Sequence, residues 1–374
     1  MKVAFFIVTE GRGHMSQALA MADVLEANGD EIVAVISDKT ERPIPEYFSK
    51  RFEGKIHQLK TFGLIYKEGK RLSIFLTLKD IIKKFPLIFK YSKNIEKIME
   101  ETKPDIIINF YSLLLSIYQL FSKKKIPSIT VGNHFLLTHK NFLKLEKKGK
   151  SFFTIQTMKT FNDLIGITTN RFWALSFSKK FENIKSKKMR VVPPLIRKSV
   201  FDLEHKKGDY IFVYLMNSGY MEDVISWHKK NPDIKIHCFT DSKKIDKFWR
   251  YDKNLIFHYL HEKKFLILMA NARAVVTSGG FETFCESMFF EKPTMLIPTE
   301  GQFEQAFRSK IADSMGIALC SKKYDLDKIL NFSSSKEVKK DLTEFREWVK
   351  EGPRIFLEEI QSLLQNSNKQ NLLK

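Results

Sequence analysis

The feature that most constrains this chain is its opening: an unbroken apolar run, Val3 to Val8, then two glycines, Gly11 and Gly13, then apolar residues at helical spacing. A continuous run of that kind suits a parallel strand buried on both faces. Met15, Ala18, Leu19, Ala22 and Leu25 recur every three or four residues up to Asn28-Gly29, a helix stop, and Ile32 to Ile36 supplies the next apolar run. Strand, turn, helix and strand make a βαβ unit, which commits the chain to a parallel sheet with helices over its faces.

The same grammar returns after residue 205. Tyr210 to Met216 reads as a strand, Asn217-Ser218-Gly219 as a turn, and the segment from Met221 as a helix. Further strands are predicted at Ile234 to Phe239, Leu255 to Tyr259, Ala274 to Thr277 and Thr294 to Ile297. With 374 residues the chain has room for two such doubly wound α/β halves. Two prolines in Val192-Pro193-Pro194-Leu195 mark the seam. The expected domains are 1–198, 199–340 and a C-terminal segment, 341–374, helical with a break at Gly352-Pro353. That segment packs back across the first domain and ends in a polar, frayed tail after Gln365.

Charge is sorted along the chain. Lysine and arginine number 63 against 43 acidic residues, a formal charge of +20. Residues 1–198 hold 36 basic and 18 acidic side chains, net +18, whereas 199–374 hold 27 and 25, net +2. A mutational bias toward lysine acts on the whole chain and does not sort itself by half, so an acidic partner of the first half is expected. The basic side chains gather with aromatics in Lys79 to Tyr91, in Lys123 to Lys125 and in Lys140 to Lys150. Apolar side chains with a lysine rim suit an anionic membrane surface; a core-facing helix with a solvated lysine side is the plainer alternative. Pro86 is expected to divide the first stretch into two short helices. A basic protein that binds nucleic acid is disfavoured by only 12 arginines and the lack of a reader motif.

Cys238, Cys285 and Cys320 are too few and too far apart for a disulfide framework or a zinc site, which fits a reducing cytoplasm. The initial apolar run meets Glu10 and Arg12 at once, unlike a signal peptide. The longest uncharged stretch, Ile106 to Phe121, falls short of the roughly 20 apolar residues of a membrane span and reads as a buried strand followed by a helix.

Ligands of open α/β sheets sit beyond the carboxyl ends of strands, and two such domains facing each other make a cleft. The first turn, Thr9 to Ser16, carries Gly-x-Gly-x-x-Ser, with Asp38 past the second strand; this only partly matches a dinucleotide fingerprint. His14 falls at a helix start, where the positive end of the helix dipole disfavours its protonated form, so it is a candidate general base. The bland reading is a surface histidine that caps the turn. After another predicted strand, Asn133 and His134 stand at a strand end as candidate acceptor contacts.

The densest cluster lies between 277 and 305. Thr277-Ser278-Gly279-Gly280-Phe281-Glu282-Thr283-Phe284-Cys285-Glu286 leaves an apolar strand and enters a helix. Two glycines let backbone amides converge at a helix amino terminus, which holds a phosphate without many cations. Glu286, one turn in, can accept from two vicinal hydroxyls. Past the next strand, Glu300 to Gln305 adds an acid and amides suited to sugar hydroxyls, which need donors and acceptors. Asp325 and Asp327 read as a solvated helix start and not as a metal-binding pair.

Gly279-Gly280, Thr283, Glu286, Lys292-Pro293, Ile297-Pro298 and Glu304-Gln305 together resemble the donor-binding signature of inverting nucleotide-sugar glycosyltransferases of the GT-B fold, in families 1 and 28. Gly11-Arg12-Gly13-His14 before an alanine-rich helix is similar to the acceptor-side glycine loop and histidine of the same enzymes. A Gly-x-Gly-His start paired with Gln302-Phe303-Glu304-Gln305 is similar to a less characterised prokaryotic group related to family 1.

The resemblance implies two Rossmann-like domains facing a cleft, the first for the acceptor and the second for the donor. It implies that His14 is the base, that Gly279, Gly280 and Thr283 cradle the diphosphate with Ser278 beside them in the donor site, and that Glu286 binds the ribose. Glu304 and Gln305 would contact the transferred sugar, Asn217, Ser218 and Gly219 would touch the donor phosphates, and Gly11, Arg12, Gly13, Asn133 and His134 would face the acceptor. The implied reaction is inverting and metal-independent, with a nucleotide sugar such as a UDP-sugar as co-substrate and no cofactor. An acceptor hydroxyl on a lipid-linked or cell-envelope glycan fits the basic half. Two departures stand out: Ser278 replaces a phosphate-binding histidine and Glu282 an asparagine, which brings a negative charge near the expected diphosphate. A nucleotide-sugar 2-epimerase on the same fold, or a binding-only relative, are the alternatives.

Overall fold

The computed structural model describes residues 1–9, 12–39, 44–59, 66–67, 71–72, 85–144, 152–242, 245–332 and 336–372. The chain divides into two compact units, Met1–Arg197 with Lys350–Lys374, and Lys198–Val349. By sequence the first unit holds 39 basic and 21 acidic side chains and the second 24 and 22, so the charge asymmetry follows the units.

The first unit is built on strands β1 (Lys2–Ile7), β2 (Glu31–Asp38), β3 (Ile56–Leu59), β6 (Ile106–Phe110), β7 (Ser128–Val131), β8 (Arg171–Leu175) and β9 (Met189–Val192), with a small separate pair, β4 (Tyr66–Lys67) and β5 (Arg71–Leu72). The seven form one parallel sheet in the order β3-β2-β1-β6-β7-β8-β9. Val3 to Ile7 are all fully buried because helices cover both faces. Ala4 and Phe6 join Ile95, Met99, Leu114, Leu115 and Tyr118 of helices Phe85–Thr102 and Leu114–Phe121 in one core. Phe5 points the other way, edge-on to Phe52 and Phe110. This alternation is the period-2 geometry of a strand read on a two-sided sheet. Helix Arg12–Ala27 buries Met15, Ala18, Leu19, Ala22 and Leu25, and Gly29 ends the segment at φ 81.

Pro86 lies in the first turn of helix Phe85–Thr102, where a missing N–H removes no helical bond. The two-helix expectation also involves residues 79–84, which lie outside the described residues, as do 145–150 of another lysine stretch and Gly11 of the first turn.

The second unit holds β10 (Tyr210–Leu215), β11 (Lys235–Thr240), β12 (Phe248–Arg250), β13 (Leu255–Tyr259), β14 (Ala274–Thr277), β15 (Thr294–Leu296) and β16 (Leu319–Cys320). Their order is β12-β13-β11-β10-β14-β15-β16, parallel except for β12 against β13. Ile211, Val213, Leu215, Val276 and Met295 meet Val224 and Trp227 in its core. Asp327 opens helix Asp327–Leu330, and Asp325 pairs with Lys328 at 3.5 Å.

The last helix, Lys336–Leu372, differs from expectation twice. It runs without interruption through Gly352 and Pro353, and it continues past Gln365 to Leu372 in place of a frayed tail. No glycine or proline follows Pro353 before Leu372, so nothing stops the ladder from propagating. The unit boundary, between Val349 and Lys350, falls within one turn of Pro353. Beyond it the helix belongs to the first unit. A Cβ on Gly352 would sit 3.5 Å from Pro193, Phe356 lies 5.1 Å from the Trp173 ring, and Glu359 binds Arg171 at 2.7 Å and Arg190 at 2.6 Å.

Candidate functional site

In each unit the strand order reverses beside its first strand. The chain runs outward through β1, β2 and β3 and then returns to β6 on the other flank of β1; it likewise runs through β10, β11 and β13 and returns to β14 beside β10. At such a switch point neighbouring turns splay apart beyond the carboxyl ends and leave a crevice. The candidate residues lie on these turns.

In the first unit helix Arg12–Ala27 starts directly after the turn, with Arg12 exposed and Gly13 and His14 half-buried. Thr9 Oγ1 donates to the carbonyl of Asp38 at 2.8 Å, fixing the exit from β1. His14 Nδ1 lies 3.3 Å from Gln17 Oε1. With Nδ1 donating to that amide oxygen, the tautomer consistent with this contact leaves Nε2 as the ring nitrogen able to accept a proton.

Across the switch point, β6 ends in a turn tied by a side chain. Asn109 Oδ1 accepts from the Ser112 amide at 2.9 Å, and its Nδ2 donates to the Ser112 carbonyl at 3.0 Å and to Thr130 at 3.2 Å. Within this clamp Tyr111 adopts φ 61, a conformation rare for a bulky residue and held only where the surroundings enforce it. The Tyr111 hydroxyl donates to Asn162 Oδ1 at 2.5 Å, and Asn162 Nδ2 donates to Thr138 at 2.8 Å and to the His134 carbonyl at 3.1 Å. The Tyr111 ring stacks on His134, centroids 4.1 Å apart, and His14 lies 5.7 Å from Tyr111 and 5.8 Å from His134. Three adjacent strands, β1, β6 and β7, thus deliver His14, Tyr111 and His134 to one place. Asn133 does something else: it is buried, and its Nδ2 donates to the Leu175 carbonyl at 2.7 Å, joining the ends of β7 and β8.

In the second unit Asn217 caps the 3₁₀ turn Ser218–Tyr220 by accepting from the Gly219 amide at 2.9 Å. On the neighbouring strand, β14 runs into Ser278-Gly279-Gly280 and helix Phe281–Phe289. Gly279 has φ 81, and a Cβ there would lie 2.8 Å from Ser309 Oγ, so conformation and packing both demand glycine. Gly280 is the helix N-cap; a Cβ on it would meet nothing within 4 Å, and no side chain caps the helix. The helix amino terminus therefore borders open space at Gly280, and its first amides have no intrahelical partner. The hydroxyls of Thr277, Ser278 and Ser309 are buried without a hydrogen-bond partner among the described residues. Thr283 is half-buried in the first helical turn, whereas Glu286 is buried.

Helix Phe303–Ser314 backs this loop. Gln305 is buried; its Oε1 accepts from the Thr299 amide at 2.9 Å and its Nε2 reaches Met216 Sδ at 3.5 Å, so it ties the turns after β15 and β10 together. Glu304 is half-buried. From the same helix Arg308, 3% exposed, donates from Nη1 to the Gly279 carbonyl at 2.5 Å and lies 5.4 Å from the centre of the Phe281 ring. Burial pulls its pKa down, against the opposing effect of Glu304 and Glu282.

Tyr111, Asn162 and Arg308 were not singled out in the sequence. Arg308 had one signal, its i,i+4 spacing from Glu304, and Tyr111 had its position directly after an apolar strand.

Residues 1–335 match the family described as glycosyl transferase family 1. No curated protein matches the sequence. Among solved structures, the glycotransferase of kitacinnamycin is similar at 14% identity and a TM-score of 0.65, covering 97% of this chain and 98% of its own. Phytolacca americana UGT2, complexed with UDP-2fluoro-glucose and pterostilbene, is similar at 12% identity and a TM-score of 0.63, covering 97% and 99%. The spinosyn rhamnosyltransferase SpnG, complexed with thymidine diphosphate, matches at 9% identity and a TM-score of 0.58, covering 96% and 100%. With two Rossmann-like sheets, a long C-terminal helix and a family match over most of its length, the chain belongs to glycosyl transferase family 1 and has the GT-B fold.

Proposed function

We propose that this glycosyltransferase is an inverting, metal-independent enzyme that moves a sugar from a nucleoside diphosphate sugar to an acceptor hydroxyl. The observation that carries the reading is the Gly279-Gly280 loop, whose uncapped helix opens onto free space beside buried hydroxyls. An anion is the ligand such a terminus favours. In relatives of this fold the bound nucleotides are UDP-2fluoro-glucose and thymidine diphosphate, and a UDP-sugar is our first choice here. Ser278, Gly279, Gly280 and Thr283 would hold the diphosphate, Asn217 to Gly219 would border it, and Glu286 would take the ribose hydroxyls. Glu304 would contact the transferred sugar, with Gln305 shaping that wall through Thr299 and Met216.

His14 Nε2 would take the acceptor proton as the acceptor oxygen bonds to the anomeric carbon. The bond from that carbon to the diphosphate breaks on the opposite face, and the leaving group departs with the electron pair. A positioned base contributes about 10²- to 10⁴-fold, and amides already oriented toward the leaving group stabilise its charge without reorganisation. Arg12, Gly13, Asn133 and His134 would line the acceptor side.

The acceptor in this reading is lipid-linked, in cell-envelope glycan synthesis, and met at the cytoplasmic face of an anionic membrane. Support comes from the net charge of the first unit and from exposed Phe89, Leu120 and Phe121, with Lys93 Nζ 4.7 Å from the Phe89 ring and Lys123 to Lys125 exposed beside them. Among the described residues no helix is long and apolar enough to cross a membrane, so contact would be peripheral.

Thermal-shift screening against nucleoside diphosphate sugars tests the donor, since a specific ligand stabilises the fold by mass action. Isomerisation of the bound donor without acceptor would replace transfer by epimerisation. Retention of activity in EDTA is expected, as is low-salt co-sedimentation with anionic vesicles; a chain that stays in solution would remove the membrane from the reading.

A further inference from the structure

The glycine loop poses an electrostatic problem: Glu282 stands in the first turn of the helix that would receive a diphosphate, Glu286 one turn further, and Glu304 on the helix behind. Each carboxylate opposes an incoming anion. The buried guanidinium of Arg308 is the cation nearest this problem: it holds the loop itself, through the Gly279 carbonyl, and Glu304 and Glu282 are the leading charges acting on it. Burying a charge costs more than burying an apolar side chain of similar volume, so packing alone gives no reason for an arginine there.

Its hydrogen bond supplies one. Arg308 Nη1 holds the carbonyl of Gly279 at 2.5 Å. Because the peptide is planar and trans, that carbonyl and the amide N–H of Gly280 point in opposite directions. Drawing the carbonyl inward therefore turns the Gly280 N–H outward, to the side where a Cβ on Gly280 would meet open space. Glycine at 279 makes the peptide easy to turn; Phe281, against the guanidinium face, stands next to it in the chain.

We propose that Arg308 is a positioning residue of the donor-phosphate subsite, which locks the 279–280 peptide with its amide toward the diphosphate and offsets the carboxylates of Glu282 and Glu304. This rests on the reading of the Ser278 to Thr283 loop as that subsite. Arg308 touches no phosphate itself; it decides whether the loop presents a donor and at what net charge.

The test is the ratio of affinities for a nucleoside diphosphate and its monophosphate, measured by calorimetry with UDP against UMP and dTDP against dTMP. Arg308→Met is expected to lower the diphosphate preference by roughly tenfold or more, the scale of one charge-assisted hydrogen bond. Arg308→Lys, which keeps the charge, restores part of it, and adding Glu282→Gln to Arg308→Met restores part of it by removing a repulsion. A residue with only a packing role would change stability and leave the ratio and these rescues unmoved. Should Arg308→Met fail to fold, Arg308→Gln and Arg308→Lys carry the same comparison, since an uncharged donor and a charged one must then differ. An unchanged ratio in folded variants overturns the inference alone; failure of the unaltered chain to bind any nucleoside diphosphate overturns the donor-site reading and the inference with it.

Discussion

The ring of Tyr111 stacks on that of His134, centroids 4.1 Å apart and planes within 22° of parallel. Tyr111 sits at φ 61, its turn clamped by Asn109 and its hydroxyl held by Asn162. The pair makes a rigid wall beside His14, and a base catalyses best where its approach is fixed beforehand. Tyr111→Phe keeps the stack and loses one hydrogen bond, so it should cost about 1 kcal/mol in urea denaturation with turnover nearly retained. Tyr111→Ala removes the wall and should lower kcat more than it raises KM.

For His14 the expected signature is a split. His14→Ala should lower kcat by about 10²- to 10⁴-fold while nucleotide affinity, read by calorimetry, stays near that of the unaltered chain. Equal turnover in the two proteins would remove His14 as the base.

The two loop glycines should respond differently to alanine. At Gly279 a Cβ meets Ser309 Oγ at 2.8 Å and the backbone sits at φ 81, so Gly279→Ala should destabilise by at least about 1–2 kcal/mol from backbone strain, and Ser309→Gly should recover the steric part. At Gly280 the backbone is ordinary and the space open. Gly280→Ala should fold normally, yet bind nucleotide more weakly because its methyl occupies the anion's side. Thermal melts and calorimetry on both variants separate the effects.

Glu359 binds two arginines of unequal burial, Arg171 at 18% side-chain exposure and Arg190 at 64%. Arg171→Met strips a largely buried carboxylate of its buried partner and should cost about 3 kcal/mol. Arg190→Met should cost under about 1 kcal/mol. Equal losses would mean that the long helix is not anchored through this pair.

Acid stability should depend on His258. Burial lowers its pKa to about 3, and that of its partner His237, 2.9 Å away, also falls. A histidine titrating near 6.5 when unfolded and near 3 when folded binds more protons in the unfolded state between those values. Stability is therefore lost as pH falls through that window, by up to about 2 kcal/mol from His258 at pH 5. His258→Gln should flatten the dependence of the urea midpoint on pH between 6.5 and 4; an unaltered slope would contradict this.

How much of this was legible in the sequence follows from what each signal depends on. The parallel strands were visible because a strand covered on both faces is apolar along its length, as Val3 to Val8 and Ala274 to Val276 are. The glycine loop was visible because a positive φ at Gly279 leaves a compositional mark. The turn at Tyr111 was not: its clamp, Asn109, sits inside an otherwise apolar run, and only the fold shows that this amide reads Ser112. Arg308 was hard to single out for a similar reason: apart from its spacing from Glu304, a cation on an amphipathic helix looks solvated until a second element is laid over it. The antiparallel edge β12 is three exposed residues long and too short for any periodicity to register.

The long helix also sets an order of events during synthesis. Trp173, Arg171 and Pro193 leave the ribosome early, but the residues that cover them, Gly352, Phe356 and Glu359, follow only after the whole of Lys198–Val349. At about 5–20 residues per second that interval is on the order of ten to thirty seconds. Throughout it the nascent first unit carries an uncovered tryptophan and an arginine without its carboxylate, a window in which a chaperone, or a peptide copying residues 350–372, can take the helix's place.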